Sequence, residues 1–246
     1  MSGHWTKVDI GGKHADLYEP LGMLRPQFAI LHLHGADLAT LRDRPEFTRW
    51  FDQFRMPCIC PHGQAYWWAN RICPHFDPLI SPERYILDKV MPFFQSRWKL
   101  APPAIGLQGI GMGGQGALRL AFKHPKIFPV VAAIAPALEH HELYGWGTAL
   151  DTIYDSKEQC RQDTPIMHVP PSGSPPYIFF CMPPDEPRWF RGADRLHEKL
   201  KALGVEHEVD FTTGSGQLSW VYFNHLAERV ERFVHNGLQE QSRRLL

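Results

Sequence analysis

A chain of 246 residues, 43% hydrophobic and 21% charged, has a globular balance and room for one large α/β domain or two small ones. Lys+Arg and Asp+Glu both number 26, and zero formal charge argues against a dedicated nucleic-acid binder or a polybasic membrane anchor. The longest apolar run, residues 129–138, is about half of the roughly 20 residues a spanning helix needs, and the first residues lack the apolar stretch of a secretory signal.

Apolar runs and amphipathic stretches then alternate along the chain. Residues 28–33 (Phe-Ala-Ile-Leu-His-Leu) read as a buried strand and 56–60 as a second. Ser81-Pro82, a cap and first-turn proline, opens a helix lined by Ile86, Val90 and Phe94. Residues 104–108 form a third predicted strand, followed by an Ala/Leu-rich helix at 117–122; 130–134 and 177–181 form the fourth and fifth. Leu196, Leu200 and Leu203 line a helix ended by Gly204, and Leu226, Val230, Phe233 and Val234 line the last one. Residues 239–246 read as a polar tail. The stretch 137–176, with Tyr144-Gly-Trp-Gly and many polar residues, breaks the alternation and is expected as a cap-like insertion over the sheet's working edge. Near-continuous apolar strands alternating with helices predict a mostly parallel sheet covered on both faces, in one α/β domain spanning residues 1–246.

Five cysteines, an odd number without a signal sequence, point to reduced thiols and a cytoplasmic protein. Alternation puts Cys58, Cys60 and His62 on one strand face, with Cys73 and His75 nearby, a set that could suit zinc. Cysteine in an apolar strand behaves as a small hydrophobe, and C-x-C is not the usual zinc spacing, so core packing is the expectation and neither metal nor cofactor is predicted. His140, His141 and Glu142 read as a solvated helix start or loop, with a pocket wall as the alternative.

The chemically informative stretch is 109–114, Gly-Ile-Gly-Met-Gly-Gly, between a strand and a helix. It satisfies the dinucleotide pattern G-x-G-x-x-G, yet the next strand ends Ile134-Ala-Pro-Ala137 without the carboxylate that would hold a ribose. It fits better as a nucleophile elbow, G-x-S-x-G, with Gly111 where serine would stand. Gly109 and Gly113 then permit close approach of strand and helix, and glycine accepts the strained backbone of the apex.

Here the chain resembles the α/β-hydrolase superfamily, and within it the esterase D, S-formylglutathione hydrolase and feruloyl-esterase type of carboxylesterase. Residues 109–118 are similar to that family's G-x-S-M-G-G-x-G-A-L except at Gly111. Residues 31–36 (Leu-His-Leu-His-Gly-Ala) resemble its oxyanion loop, and Pro61-His-Gly63 with Trp67-Trp68 resembles a loop beside its substrate pocket. Asp185 stands where the family carries its triad acid; residues 216–220 (Gly-Gln-Leu-Ser-Trp) resemble its G-G-H-S-W and put Leu218 at the histidine. The resemblance therefore implies an α/β-hydrolase fold with nucleophile, acid and base positions at Gly111, Asp185 and Leu218. It also implies an oxyanion and pocket region at His34, Gly35, Ala36 and Met112, with Trp67, Trp68, Trp146 and Trp220 around the mouth. Glycine has no hydroxyl to attack a carbonyl and leucine cannot carry a proton. In a serine-hydrolase template either loss alone costs on the order of 10⁶ in kcat.

No serine flanks Gly111; Gln217 is no base, and His225, one to two turns into the last helix, is too remote. The sequence thus predicts a non-hydrolytic esterase homologue that binds an ester-like or aromatic small molecule or a protein partner, with no nucleic acid and no membrane. The alternative is an active ester hydrolase, or a serine-independent lyase-type enzyme using Asp185 and a base such as His34, whose bland reading is a strand-end residue bonding to backbone. Without a histidine partner, and unless Arg188 or backbone donors compensate, Asp185 is expected as a buried carboxylate with a raised pKa.

Overall fold

The computed structural model describes residues 2–214 and 216–244. Among them eight strands form one sheet: β1 (His4–Ile10), β2 (Lys13–Glu19), β3 (Ala29–Leu33), β4 (Cys58–Pro61), β5 (Ile105–Ile110), β6 (Val130–Ile134), β7 (Tyr177–Cys181) and β8 (Glu208–Asp210). Their order is β1-β2-β4-β3-β5-β6-β7-β8. The β1–β2 hairpin is antiparallel and joins β4 antiparallel; every pairing from β4 through β3 to β8 is parallel. This is the predicted α/β-hydrolase architecture. The five strands expected from apolar runs form the buried middle of the sheet; β1, β2 and β8 are additional to them.

The helices are α1 (Pro45–Phe54), α2 (Pro82–Tyr85), α3 (Met91–Trp98), α4 (Met112–Lys123), α5 (Leu150–Ile153), α6 (Lys157–Gln162), α7 (Pro187–Ala202), α8 (Trp220–His225) and α9 (Ala227–Arg244). A π-helical turn, Ile86–Val90, joins α2 to α3. Ser81 caps α2 as predicted, its Oγ accepting from the Arg84 N–H at 3.2 Å. Gly204, at φ +67°, follows α7. Leu196 and Leu200 are buried, but Leu203 lies past the last full turn of α7, on its solvent side, and is exposed.

Two other expectations change. His225 ends α8, a separate short helix, and Leu226, its buried C-cap, lies between α8 and α9. The stretch from Gln239 is no tail as far as Arg244: α9 continues, held by buried Gly237 and Leu238 and by Arg244 lying 5.3 Å over the Tyr177 ring. Residues 245–246 lie outside the described residues.

Parallel β6 and β7 settle the course of residues 137–176. The segment leaves the carboxyl edge of the sheet after β6 and is back at the opposite edge by Pro176. Part of the segment therefore descends beside α4, to which Arg119 ties it through Asp163 at 2.6 Å. No helix among the described residues is long and apolar enough to cross a membrane.

Candidate functional site

The site is built at the carboxyl end of β5. Gly111 sits between β5 and α4 at φ +56°, ψ −112°, a conformation that strains any residue with a side chain. Its N–H donates to the Ile134 carbonyl at 2.9 Å, and its own carbonyl accepts from Gln115 and Ala137, both at 3.1 Å. These bonds pin the apex to the β6 exit. A Cβ on Gly109 would collide with the backbone of Gly113, and a Cβ on Gly113 with the Leu33 carbonyl, so both positions require glycine for strand and helix to meet. Beyond Gly111 the case is opposite: a Cβ there would meet nothing within 4 Å. A side chain at the apex would project into open space.

Met112, buried, opens α4, whose first N–H groups have no partner within the helix. Across from it the loop after β3 carries Gly35, buried, and Ala36, exposed, in a turn closed by Leu38 N–H to the Gly35 carbonyl at 3.1 Å.

His34 is buried and both ring nitrogens are used. Nε2 accepts from the Gly63 N–H at 2.9 Å, which leaves the proton on Nδ1, donated to the Gly35 carbonyl at 2.8 Å. Burial lowers its pKa more than the Gly35 bond raises it, so the ring stays neutral. This is the strand-end histidine of the bland reading. A base must have a free nitrogen facing substrate, and that removes His34 from the serine-independent alternative.

Trp67 and Trp68 both adopt left-handed backbone, φ +56° and +54°, and both are buried. Trp68 lies against Gly63 and Gly116, and its Nε1 donates to the His34 carbonyl at 3.4 Å. Trp67 receives the Gln115 amide on its carbonyl at 2.7 Å and stacks on His140, ring centroids 4.9 Å apart. His140 is therefore not in a solvated loop: it is buried, and burial drives its pKa down to about 3.

Asp185, exposed, lies in the loop after β7, and its Oδ2 accepts from the Gly216 N–H at 2.6 Å. The premise of a buried carboxylate thus fails, because a backbone donor serves this group at the surface. The same bond brings the Asp185 loop beside the loop that carries Leu218, which is half-buried and packs against the core. Trp220 ties the Leu218 loop to the loop after β3: its Nε1 donates to Asp37 Oδ2 at 2.9 Å, and the Arg44 guanidinium lies 3.8 Å over its ring. Three loops are thereby joined at the carboxyl edge of the sheet, the edge at which Gly111 also lies. Trp146 is 69% exposed at a glycine-flanked turn, with Arg188, three residues after Asp185, 5.1 Å over its ring.

Asp37, Arg44 and Gln115 hold this arrangement together and escaped the sequence reading; only Gln115, inside the elbow motif, had a local signal. The thiols pack as hydrophobes: Cys58 and Cys60 share a face, Sγ to Sγ 3.7 Å, both fully buried, and burial raises the Cys58 pKa well above its usual value. His62 turns instead to Asp16 at 2.9 Å. Among the described residues no three His, Cys, Asp or Glu side chains group to hold a metal.

A family model, Esterase, matches residues 79–231, more than half of the chain and including the elbow, Asp185 and Leu218. The chain belongs to the Esterase family. No curated protein matches the sequence. Solved structures similar to this Esterase-family chain include the S-formylglutathione hydrolase from Agrobacterium tumefaciens (TM-score 0.74, 14% identity, covering 96% of this chain and 94% of that one). A ferulic acid esterase is similar at TM-score 0.75 and 12% identity, covering 95% of this chain and 99% of that one. The fluorophosphonate-binding serine hydrolase F of Staphylococcus aureus is similar at TM-score 0.76 and 15% identity, covering 96% and 99%. Identities this low speak for the fold, which they share along nearly the whole Esterase-family chain.

Proposed function

We propose that this Esterase-family chain is a non-hydrolytic member, which keeps the fold and the elbow and binds an ester-like or aromatic small molecule without cleaving it. The observation that carries the reading is the apex itself. Gly111 holds the backbone of a nucleophile position, with open space where a hydroxyl would be presented, and has no side chain to present. Leu218 at the histidine position adds to it, since an aliphatic group neither takes a proton from a nucleophile nor returns one to a leaving group. Asp185, in this reading, serves the backbone of the Gly216 loop and keeps the pocket's rim in place.

The test is hydrolysis of short and aromatic p-nitrophenyl and feruloyl esters by the unmodified chain and by Gly111→Ser/Leu218→His. The unmodified chain should show the buffer rate and no labelling by a fluorophosphonate. The double variant should gain on the order of 10²-fold or more, and each single variant far less, because nucleophile and base act as a unit. Turnover or labelling of the unmodified chain would overturn the proposal.

A further inference from the structure

A cavity of about 310 Å³ lies between α7 and the descending segment 137–168. That volume is at the lower end of the range for small-molecule sites. Its walls are chiefly apolar: Leu138, Ile166, Met167 and the bare backbone of Gly192, where a Cβ would come within 3.0 Å of the Glu139 side chain. Its charged groups are unevenly matched. Glu139 is the one carboxylate among the lining residues; Arg195 pairs with it at 2.6 Å and Arg191 at 2.8 Å, the latter shared with Glu142, so these charges balance and the unmatched one is that of Lys199. Arg161, also a lining residue, is paired with Glu158 at 2.7 Å. Among the described residues Lys199 is given only a carbonyl, that of Ile166, at 2.6 Å. In addition, Nδ1 of His141, another lining residue, is buried without a hydrogen-bond partner. An apolar chamber with surplus positive charge and an unused ring nitrogen matches one kind of molecule, a short apolar chain ending in an anion.

We propose that this cavity binds a medium-chain carboxylate, its chain against Leu138, Ile166 and Met167 and its carboxylate at Lys199 and Arg195. The site stands whether or not the elbow hydrolyses anything. It is nevertheless joined to the elbow by the strip that follows β6. Leu138, Glu139 and His141 of that strip face the cavity, while Ala137 bonds to the Gly111 carbonyl at 3.1 Å and His140 stacks on Trp67. A ligand that orders this strip would also order the residues that bond to Gly111 and stack on Trp67.

The experiment is calorimetric titration of the full chain with octanoate, with octanol and octyltrimethylammonium as matched probes lacking the anion. Octanoate should bind at one saturable site, octanol at least about tenfold more weakly, and the cation not at all. Lys199→Met, on the half-buried face of α7, should weaken octanoate about tenfold and leave octanol unchanged. Ile166→Trp, filling the chamber, should abolish octanoate binding, with circular dichroism reporting that the variant is folded. If it does not fold, Lys199→Met decides alone. Absence of saturable binding, equal affinity for octanol, or octanoate binding undiminished in Lys199→Met would each overturn the proposal.

Discussion

Glu231 is a carboxylate whose burial is poorly compensated. It is fully buried on α9, and its Oε1 accepts one hydrogen bond, from the Gln108 amide at 2.8 Å. Its Oε2, the Gln108 Oε1 and both ring nitrogens of His32, which lies opposite Gln108 in the β3–β5 register, have no partner. Burial pushes the Glu231 pKa up to about 8, and the Gln108 bond offsets only part of this. The folded state therefore holds a proton that the unfolded chain, at the usual value of 4.5, gives up. Stability from this group is complete below about 4.5 and is lost as pH rises toward about 8. His32 works the other way. Burial, with help from His34, drives its pKa down to about 3, so the unfolded chain takes up a proton below 6.5 that the folded chain refuses, and stability falls as pH drops through that value. Glu231→Gln carries a donor where the neutral acid has its hydroxyl. We expect it to raise stability by a few kcal/mol at pH 8, to change little at pH 5, and to flatten the alkaline side of the profile. Urea unfolding at both pH values reads this directly, and an unchanged difference between them would contradict the assignment.

At the scale of the element, the elbow separates two kinds of glycine that look alike in the sequence. Gly113 is demanded by packing, because a Cβ would run into the Leu33 carbonyl, which belongs to a central strand and cannot move aside. Gly111 is demanded by backbone conformation alone. Gly113→Ala should therefore cost more than about 4 kcal/mol or prevent folding, whereas Gly111→Ala should cost about 1–3 kcal/mol. Thermal denaturation of the two variants distinguishes them; equal losses would mean that the elbow is looser than its contacts indicate. The elbow was legible in the sequence for the same reason, since its residues are contiguous and each glycine has a local task. So were the five central strands, whose two buried faces leave continuous apolar runs such as 130–134. The edge strands were not. Residues of β1 are exposed or half-buried except Ile10, and β8 is three residues long, so neither produces such a run. His140 was missed for a different reason: a histidine pair beside a glutamate looks solvated until Trp67, distant in sequence, arrives to cover it.

For the whole molecule, the decisive contacts join residues far apart in the chain, and these leave no pattern to read. Asp37 and Trp220 are 183 positions apart and Asp185 and Gly216 31, yet these bonds assemble the rim of the site. The largest such link is the buried ionic cluster on α4. Arg119, itself buried, binds Glu83 of α2 and, at 2.6 Å, Asp163 of the descending segment. Lys123 reaches Glu83 at 2.6 Å, and Tyr154 and His168 complete Asp163 at 2.7 and 2.8 Å. Burial alone would raise Glu83, but the His124 hydrogen bond and the charges of Arg119 and Lys123 outweigh it and hold the pKa at about 2. A cluster of this kind adds little over an apolar core of the same volume, but removing one member strands the others. Arg119→Met leaves Glu83 and Asp163 buried without their shared cation and should cost about 3–5 kcal/mol. Lys123→Met removes a more exposed charge and should cost about 1 kcal/mol or less. Because Asp163 is the tie that holds the descending segment to α4, the loss in Arg119→Met should appear first there, as cleavage within residues 137–176 at protease concentrations that leave the unmodified chain intact. The octanoate cavity has one wall on that segment, so the same variant should weaken octanoate binding while Lys123→Met does not. Proteolysis confined to other regions, or octanoate affinity equal in the two variants, would show that the segment is held by its apolar contacts and not by this charge.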